Sequence, residues 1–149
     1  KEILMIRVDG DGCPDIKVIE RVAQKYHVPM KVYVDTSHIL NCDYAIVVIV
    51  DTGMQSVDVK LENEIQQKDI VITQDYGVAV VALSKNAYVI HPSGVEYTNY
   101  NILELLENRH RNIKLRRQRI KTARIKKRAK SDTIYLKETL VRLIEKSDA

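Results

Sequence analysis

Asp9 and Asp11 stand in the run Ile3-Leu4-Met5-Ile6-Arg7-Val8-Asp9-Gly10-Asp11-Gly12-Cys13-Pro14, two carboxylates separated and followed by glycines after a short apolar segment. An apolar run of that length reads as a buried strand, and Pro14 suits the first position of a helix. Two more aspartates hold comparable places: Asp75 follows Ile70-Val71-Ile72-Thr73-Gln74, and Asp58 begins a helical stretch after Ser56. In an open α/β sheet the ligand crevice lies outside the carboxyl ends of the strands. If these strands are parallel, Asp9, Asp11, Asp58 and Asp75 share one edge of the sheet. Ionised carboxylates do not share a small volume without positive charge among them. Hard divalent cations such as Mg²⁺ or Mn²⁺ take oxygen ligands of this kind. A cation so held activates water and steadies the charge on a phosphodiester oxygen during in-line displacement. The four aspartates are therefore candidate metal ligands and catalytic residues.

Acids at helix N-termini also cap orphan N–H groups and complement the macrodipole, so Asp58 and Asp15 stay open between the two roles. Asp35, Asp43, Asp51 and Asp69 read as turn residues, Asp69 at the edge opposite the acids. Cys13 precedes a helix start, a place where a thiol can become a nucleophile. Its acidic neighbours disfavour a thiolate and no histidine adjoins it, so it reads as a small residue packed under the loop. His91 and His110 have no ligand-like spacing.

The elements that must position these groups follow from hydrophobic period. Ile16, Val18, Ile19, Val22, Ala23 and Tyr26 recur at helical spacing, and Lys31 to Asp35 reads as a second strand. Tyr44 to Val50 is apolar and largely β-branched, which predicts a central third strand. A helix from about Ser56 to Gln67, a strand Ile70–Thr73, a Val- and Ala-rich helix Val78–Lys85 and a strand Ala87–His91 come next. Pro92-Ser93-Gly94 is a turn, and Thr98 or Asn99 can cap a helix containing Ile102, Leu103, Leu105 and Leu106. Ser131 or Asp132 can cap a last helix whose face Leu136, Leu140, Leu143 and Ile144 must dock on the body or on another chain. Alternation of strand and helix predicts an α/β class, a parallel sheet in a three-layer α/β/α sandwich.

At 149 residues the chain makes one ordinary domain with a real core. It holds eight Tyr but no Trp or Phe, so Ile, Val, Leu and Ala must build that core. No apolar run reaches bilayer length and no signal-peptide pattern is seen. Two cysteines make neither a disulfide framework nor a metal-ligand spacing, and a cytoplasmic setting is expected. The net charge of +4 hides a division: residues 1–108 carry nine Lys or Arg against sixteen acids, residues 109–149 fifteen against four. Twelve of the bases are Arg109, Arg111, Lys114, Arg116, Arg117, Arg119, Lys121, Arg124, Lys126, Lys127, Arg128 and Lys130, with no acid among them. Such a run binds phosphates electrostatically without reading sequence; its plainer meaning is a solvated charge run.

Val8-Asp9-Gly10-Asp11-Gly12-Cys13-Pro14 resembles the Asp-Ala-Asp-Ala-Cys-Pro signature of the YaiI/YqxD family of bacterial proteins. The resemblance continues through Ser56-Val57-Asp58, Lys68 to Gly77, His91-Pro92-Ser93-Gly94 and Tyr97 to Ile102, covering about residues 3–108. It implies a PIN-like fold over residues 1–108; the charge run and the apolar face after it lead us to expect residues 109–149 to form a basic segment plus a C-terminal amphipathic helix packed on the same domain. PIN domains are metal-dependent nucleases with acids at strand ends, which maps here to Asp9, Asp11, Asp58 and Asp75. Both alanines of the signature are glycines in this chain, which is expected to loosen the loop. The family's Gly- and Pro-rich connection is strongly basic here.

The expected function is a Mg²⁺- or Mn²⁺-dependent nuclease acting on RNA or single-stranded DNA, with the basic segment holding the strand. A homodimer is compatible with the sequence, and no membrane partner is expected. Two other classes remain. A strand followed by Asp-x-Asp resembles the haloacid-dehalogenase phosphatases, with Asp9 as nucleophile and Asp11 as general acid. That family wants a later lysine and a paired acidic motif, for which Gln74-Asp75 is a poor substitute. A non-catalytic nucleic-acid-binding module would leave the acids as turn and cap residues.

Overall fold

A computed structural model of the chain describes residues 3–108 and 130–148. β1 (Ile6–Asp9) passes through a 3₁₀ turn (Gly10–Gly12) to α1 (Ile16–Lys25) and β2 (Met30–Asp35). β3 (Ile46–Val50), α2 (Val57–Glu64), β4 (Ile70–Ile72), α3 (Tyr76–Ser84), β5 (Tyr88–Ile90) and β6 (Glu96–Tyr97) follow. A helix over residues 102–108 is α4, and Lys130–Asp148 is α5. The sheet order is β3-β2-β1-β4-β5-β6, with the first five strands parallel and β6 antiparallel to β5.

Helices cover both faces, so the three-layer α/β/α expectation holds. One face buries Ile6, Val8, Val32, Ile70, Ile72 and Ile90 beneath Ile19, Val22 and Ala23 of α1 and Leu136, Leu140, Leu143 and Ile144 of α5. The other buries Tyr33, Val71 and Val89 beneath Val57 and Leu61 of α2, Val78, Ala79 and Ala82 of α3, and Ile102 of α4. α1 and α3 close alike. His27 (φ 56°) and Asn86 (φ 62°) take the left-handed conformation, and the next N–H, of Val28 or Ala87, returns to the carbonyl of Ala23 or Ala82.

Several local expectations need correction. β3 is not central but the outermost strand, with Ile46 and Ile49 exposed; an apolar, β-branched strand fixes the type of element, not its neighbours. Pro14 lies in the turn before α1, whose cap position is Asp15. Lys130 is already helical, so Ser131 and Asp132 lie within α5 rather than capping it. Gly10 does not loosen its loop: a Cβ there would stand 2.6 Å from Val34 Cγ1 and 2.9 Å from the Tyr33 carbonyl oxygen, so the turn is pressed against β2. Asp69 closes the turn that leads into β4, its N–H donating to the Gln66 carbonyl at 3.1 Å, but the turn is not solvated there. Asp69 is fully buried, its Oδ2 accepting from Arg7 Nε at 2.7 Å and from the Gln66 N–H at 2.8 Å. Arg7 also donates to the Tyr33 hydroxyl at 2.8 Å, which donates to Glu64 Oε1 at 2.7 Å. This buried chain ties α2, the helix that carries Asp58, to β1 and β2.

Candidate metal and nucleic-acid site

Strand order reverses between β1 and β4, and that switch point is where ligands bind in open α/β sheets. β1 delivers Asp9 there as its last residue, and the segment after β4 delivers Thr73, Gln74 and Asp75. Asp75 is the N-cap of α3, its Oδ1 accepting from the Val78 N–H at 3.1 Å. Ser56 caps α2 in the same manner, so Asp58 sits in that helix's first turn without serving as the cap. A cleft of about 480 Å³ opens over this point, lined by Asp9, Gln74, Asp75, Tyr76 and His91.

Asp9, Asp58 and Asp75 form one electrostatic group. Asp9 is 8% exposed, and burial raises its pKa, against a lowering hydrogen bond from Thr73 and with further raising by Asp11 and Asp75. Asp58 is pushed up to about 6, first by burial, then by a side-chain hydrogen bond to Asp75 and the charges of Asp75 and Asp9. Neighbouring carboxylates disfavour one another's ionised forms, so burial and the adjacent acids act on Asp58 in the same direction. Among the described residues none of the ion pairs involves Asp9, Asp58 or Asp75. The three carboxylates and the Thr73 hydroxyl are hard oxygens of the kind that Mg²⁺ or Mn²⁺ take, although Asp9, Asp58 and Asp75 are not the described residues whose ligand atoms converge within 4.8 Å.

Asp11 faces the other way. It lies exposed on the 3₁₀ turn with Oδ1 3.2 Å from His38 Nδ1, which is 3.0 Å from Asp35 Oδ1. Asp11, Asp35 and His38 bring ligand atoms within 4.8 Å of one another. The group also closes on itself: the Ser37 hydroxyl and N–H and the His38 ring hold the Asp35 carboxyl at about 2, and Asp35 and Asp11 raise the His38 pKa. Asp11 thus touches the main cluster through its charge on Asp9, while its hydrogen-bonding partner stands on the β2 side.

Sequence reasoning passed over Thr73, Gln74, Tyr76, His91, Asp35 and His38. His91 directly follows β5, the strand beside β4, and its Nδ1 accepts the Ser93 N–H at 3.0 Å, which puts the proton of a neutral ring on Nε2. Gln74 donates to the Gly12 carbonyl, fastening the β4–α3 turn to the acid-bearing loop. The signal was available in their positions: Asp35 ends β2 and His38 follows it, Thr73, Gln74 and Tyr76 come after β4, and His91 comes after β5. Cys13 packs in the core, as expected. Asp15 accepts from the Thr133 hydroxyl at 2.9 Å and so anchors α5. Of the twelve bases only Lys130 is described, exposed on α5. Arg109, Arg111, Lys114, Arg116, Arg117, Arg119, Lys121, Arg124, Lys126, Lys127 and Arg128, like His110, lie outside the described residues.

Fold and site together define an α/β protein with a carboxylate cluster at the switch point of a mostly parallel sheet. The chain belongs to the YaiI/YqxD family: residues 7–146 match the family described as "Uncharacterized BCR, YaiI/YqxD family". It is 45% identical over 146 residues to a UPF0178 protein of Clostridium perfringens, covering 98% of each chain. It is 43% identical over 141 residues to a UPF0178 protein of Clostridium kluyveri, covering 95% of this chain and 93% of that one. Among solved structures it is similar to Rae1 (YacP) from Bacillus subtilis, at 15% identity and a TM-score of 0.45, covering 97% of this chain and 94% of that chain. No helix among the described residues is long and apolar enough to cross a membrane.

Proposed function

We propose that this chain is a divalent-metal-dependent nuclease acting on RNA or single-stranded DNA. One observation carries the reading: β1 and the β4–α3 turn bring Asp9 and Asp75 to one switch-point cleft, both bonded to the Thr73 hydroxyl, and Asp58 feels the charge of each. Asp9, Asp58 and Asp75 are the proposed ligands of a Mg²⁺ or Mn²⁺ ion, with Asp11 approaching from the β2 side. Bound there, such an ion supplies Lewis-acid polarisation of a phosphate and an acidified water. Thr73 orients Asp9, and the α3 cap orients Asp75. The bases from Arg109 to Lys130 supply counter-charge for a phosphate backbone, which is binding without base readout.

The test is a Mn²⁺ titration followed by thermal melting, wild type against Asp9→Asn, then cleavage of single-stranded RNA and DNA. A ligand that binds only the native state must stabilise it, so the wild type should show a saturable rise in melting temperature that Asp9→Asn lacks. Asp75→Asn keeps the α3 cap and should remain folded while losing cleavage. A flat Mn²⁺ response in the wild type, or undiminished cleavage by both variants, refutes the reading.

A further inference from the structure

β3 is the outermost strand, and among the described residues nothing pairs with its outer edge. Its residues Ile46-Val47-Val48-Ile49-Val50 include no charge and no proline. Val47 packs on the α1–α5 side and Val48 on the α2–α3 side. Alternation therefore places Ile49, 62% exposed, on the first face and Ile46, 60% exposed, on the second. Sheet edges are normally blunted by charge, proline, a bulge or brevity. The opposite edge is blunted by brevity, since β6 is two residues long; β3 has none of these protections.

We propose that β3 is a self-association surface: a second copy pairs its own β3 antiparallel to the first, about a two-fold axis normal to the sheet. The strand is self-complementary in the sense this requires. A partner strand must be apolar on both of its faces, as β3 is. A two-fold normal to the sheet joins like face to like face, so each copy's two apolar layers continue into the other's.

Strand length then selects the register. β3 is extended only from Ile46 to Val50, the span over which it pairs with β2. Val48 is its middle residue, so with Val48 on the axis all five residues pair. Ile46 then lies beside Val50 and Val47 beside Ile49. Any other residue on the axis leaves part of the strand without a partner. The two clefts open at opposite ends of one continuous sheet, so each acid cluster remains complete within its own chain.

Sedimentation equilibrium of the full chain should give twice the 17.2 kDa chain mass. The double variant Ile46→Lys/Ile49→Lys should fall to the single-chain mass while still melting cooperatively, because both side chains are exposed. For the register, Val48→Cys in a Cys42→Ser background is oxidised. Self-facing Cβ atoms about 4.5–5.5 Å apart need only a small shift to reach the disulfide span of about 3.5–4.5 Å. A covalent dimer should form at Val48→Cys and not at Val47→Cys. A wild type of single-chain mass at every concentration, or a lysine variant that remains dimeric, overturns the proposal. Cross-linking at Val47→Cys in place of Val48→Cys overturns the register.

Discussion

Thr73 joins Asp9 across the β1–β4 seam: its hydroxyl donates to Asp9 Oδ2 at 3.1 Å, and the same oxygen accepts the Asp75 N–H at 3.0 Å. One buried hydroxyl thus sets the spacing of two acids that arrive on different strands. Thr73→Val removes both bonds and leaves a buried carboxylate short of a donor, a loss of about 1–3 kcal/mol. Urea unfolding should show that loss for Thr73→Val and most of it recovered in Thr73→Ser. Equal midpoints for Thr73→Val and the wild type would show that the seam does not depend on the hydroxyl.

Asp58 should make the metal-free protein less stable as pH rises. Its folded value of about 6 lies above the ordinary carboxylate value of 3.8. The native state therefore holds a proton that the unfolded chain has released between those two pH values. The stability tied to that proton is complete below pH 3.8 and is lost as pH passes 6. Asp58→Asn mimics the protonated form, so chelator-treated Asp58→Asn should exceed the wild type by about 1 kcal/mol at pH 8, after allowance for solvent screening. The two should converge near pH 4. Denaturant melts at both pH values decide it, and a less stable Asp58→Asn at pH 8 contradicts it.

His38 should titrate above its ordinary value. Asp35 and Asp11 hold the imidazolium, so its stabilising effect is present below the unfolded pKa near 6.5 and disappears as pH rises through the higher folded value. Asp35, held at about 2, stabilises above 3.8 and ceases to do so only as pH falls towards 2. An NMR titration of the His38 ring should move to lower pH in Asp35→Asn. An unmoved midpoint would remove Asp35 as the cause.

Gly94 should tolerate no side chain. Its φ is +99°, and a Cβ would lie 2.7 Å from the Leu136 nitrogen and the Tyr135 carbonyl carbon of α5. Thr139 of the same helix donates to the Gly94 carbonyl at 2.7 Å. Gly94→Ala meets backbone strain of about 1–3 kcal/mol and a clash besides. Hydrogen exchange should show α5 amides opening faster than those of β1. Unchanged α5 protection would show that the turn can yield.

Much of this arrangement was legible in the chain, for reasons that also mark where legibility stopped. The alternation of Ile70-Val71-Ile72 with the Val- and Ala-rich stretch after it is local, and it gave strand, helix and parallel sheet. Asp9, Asp58 and Asp75 followed, because a parallel sheet sends all strand ends to one edge. Asp11 came to the same edge, but its carboxyl turned to His38, a matter of which way a short turn points its residues. Arg7 with Asp69, and Thr73 with Asp9, are polar pairs made by strand neighbours that are remote in sequence, and no period announces them. The place of β3 at the margin depended on strand order, which its own composition does not encode.

The seam between β1 and β4 also sets a timetable. Asp9 and Thr73 are 64 positions apart, and Asp75 follows Thr73. A chain still being synthesised therefore lacks Asp75 and Thr73 until β4 has emerged and slid in beside β1. The acids become neighbours only at that pairing, the same event that completes the middle of the sheet. The acid cluster thus arrives together with the fold, and a fragment that stops short of β4 lacks Asp75 and the Thr73 hydroxyl that joins it to Asp9.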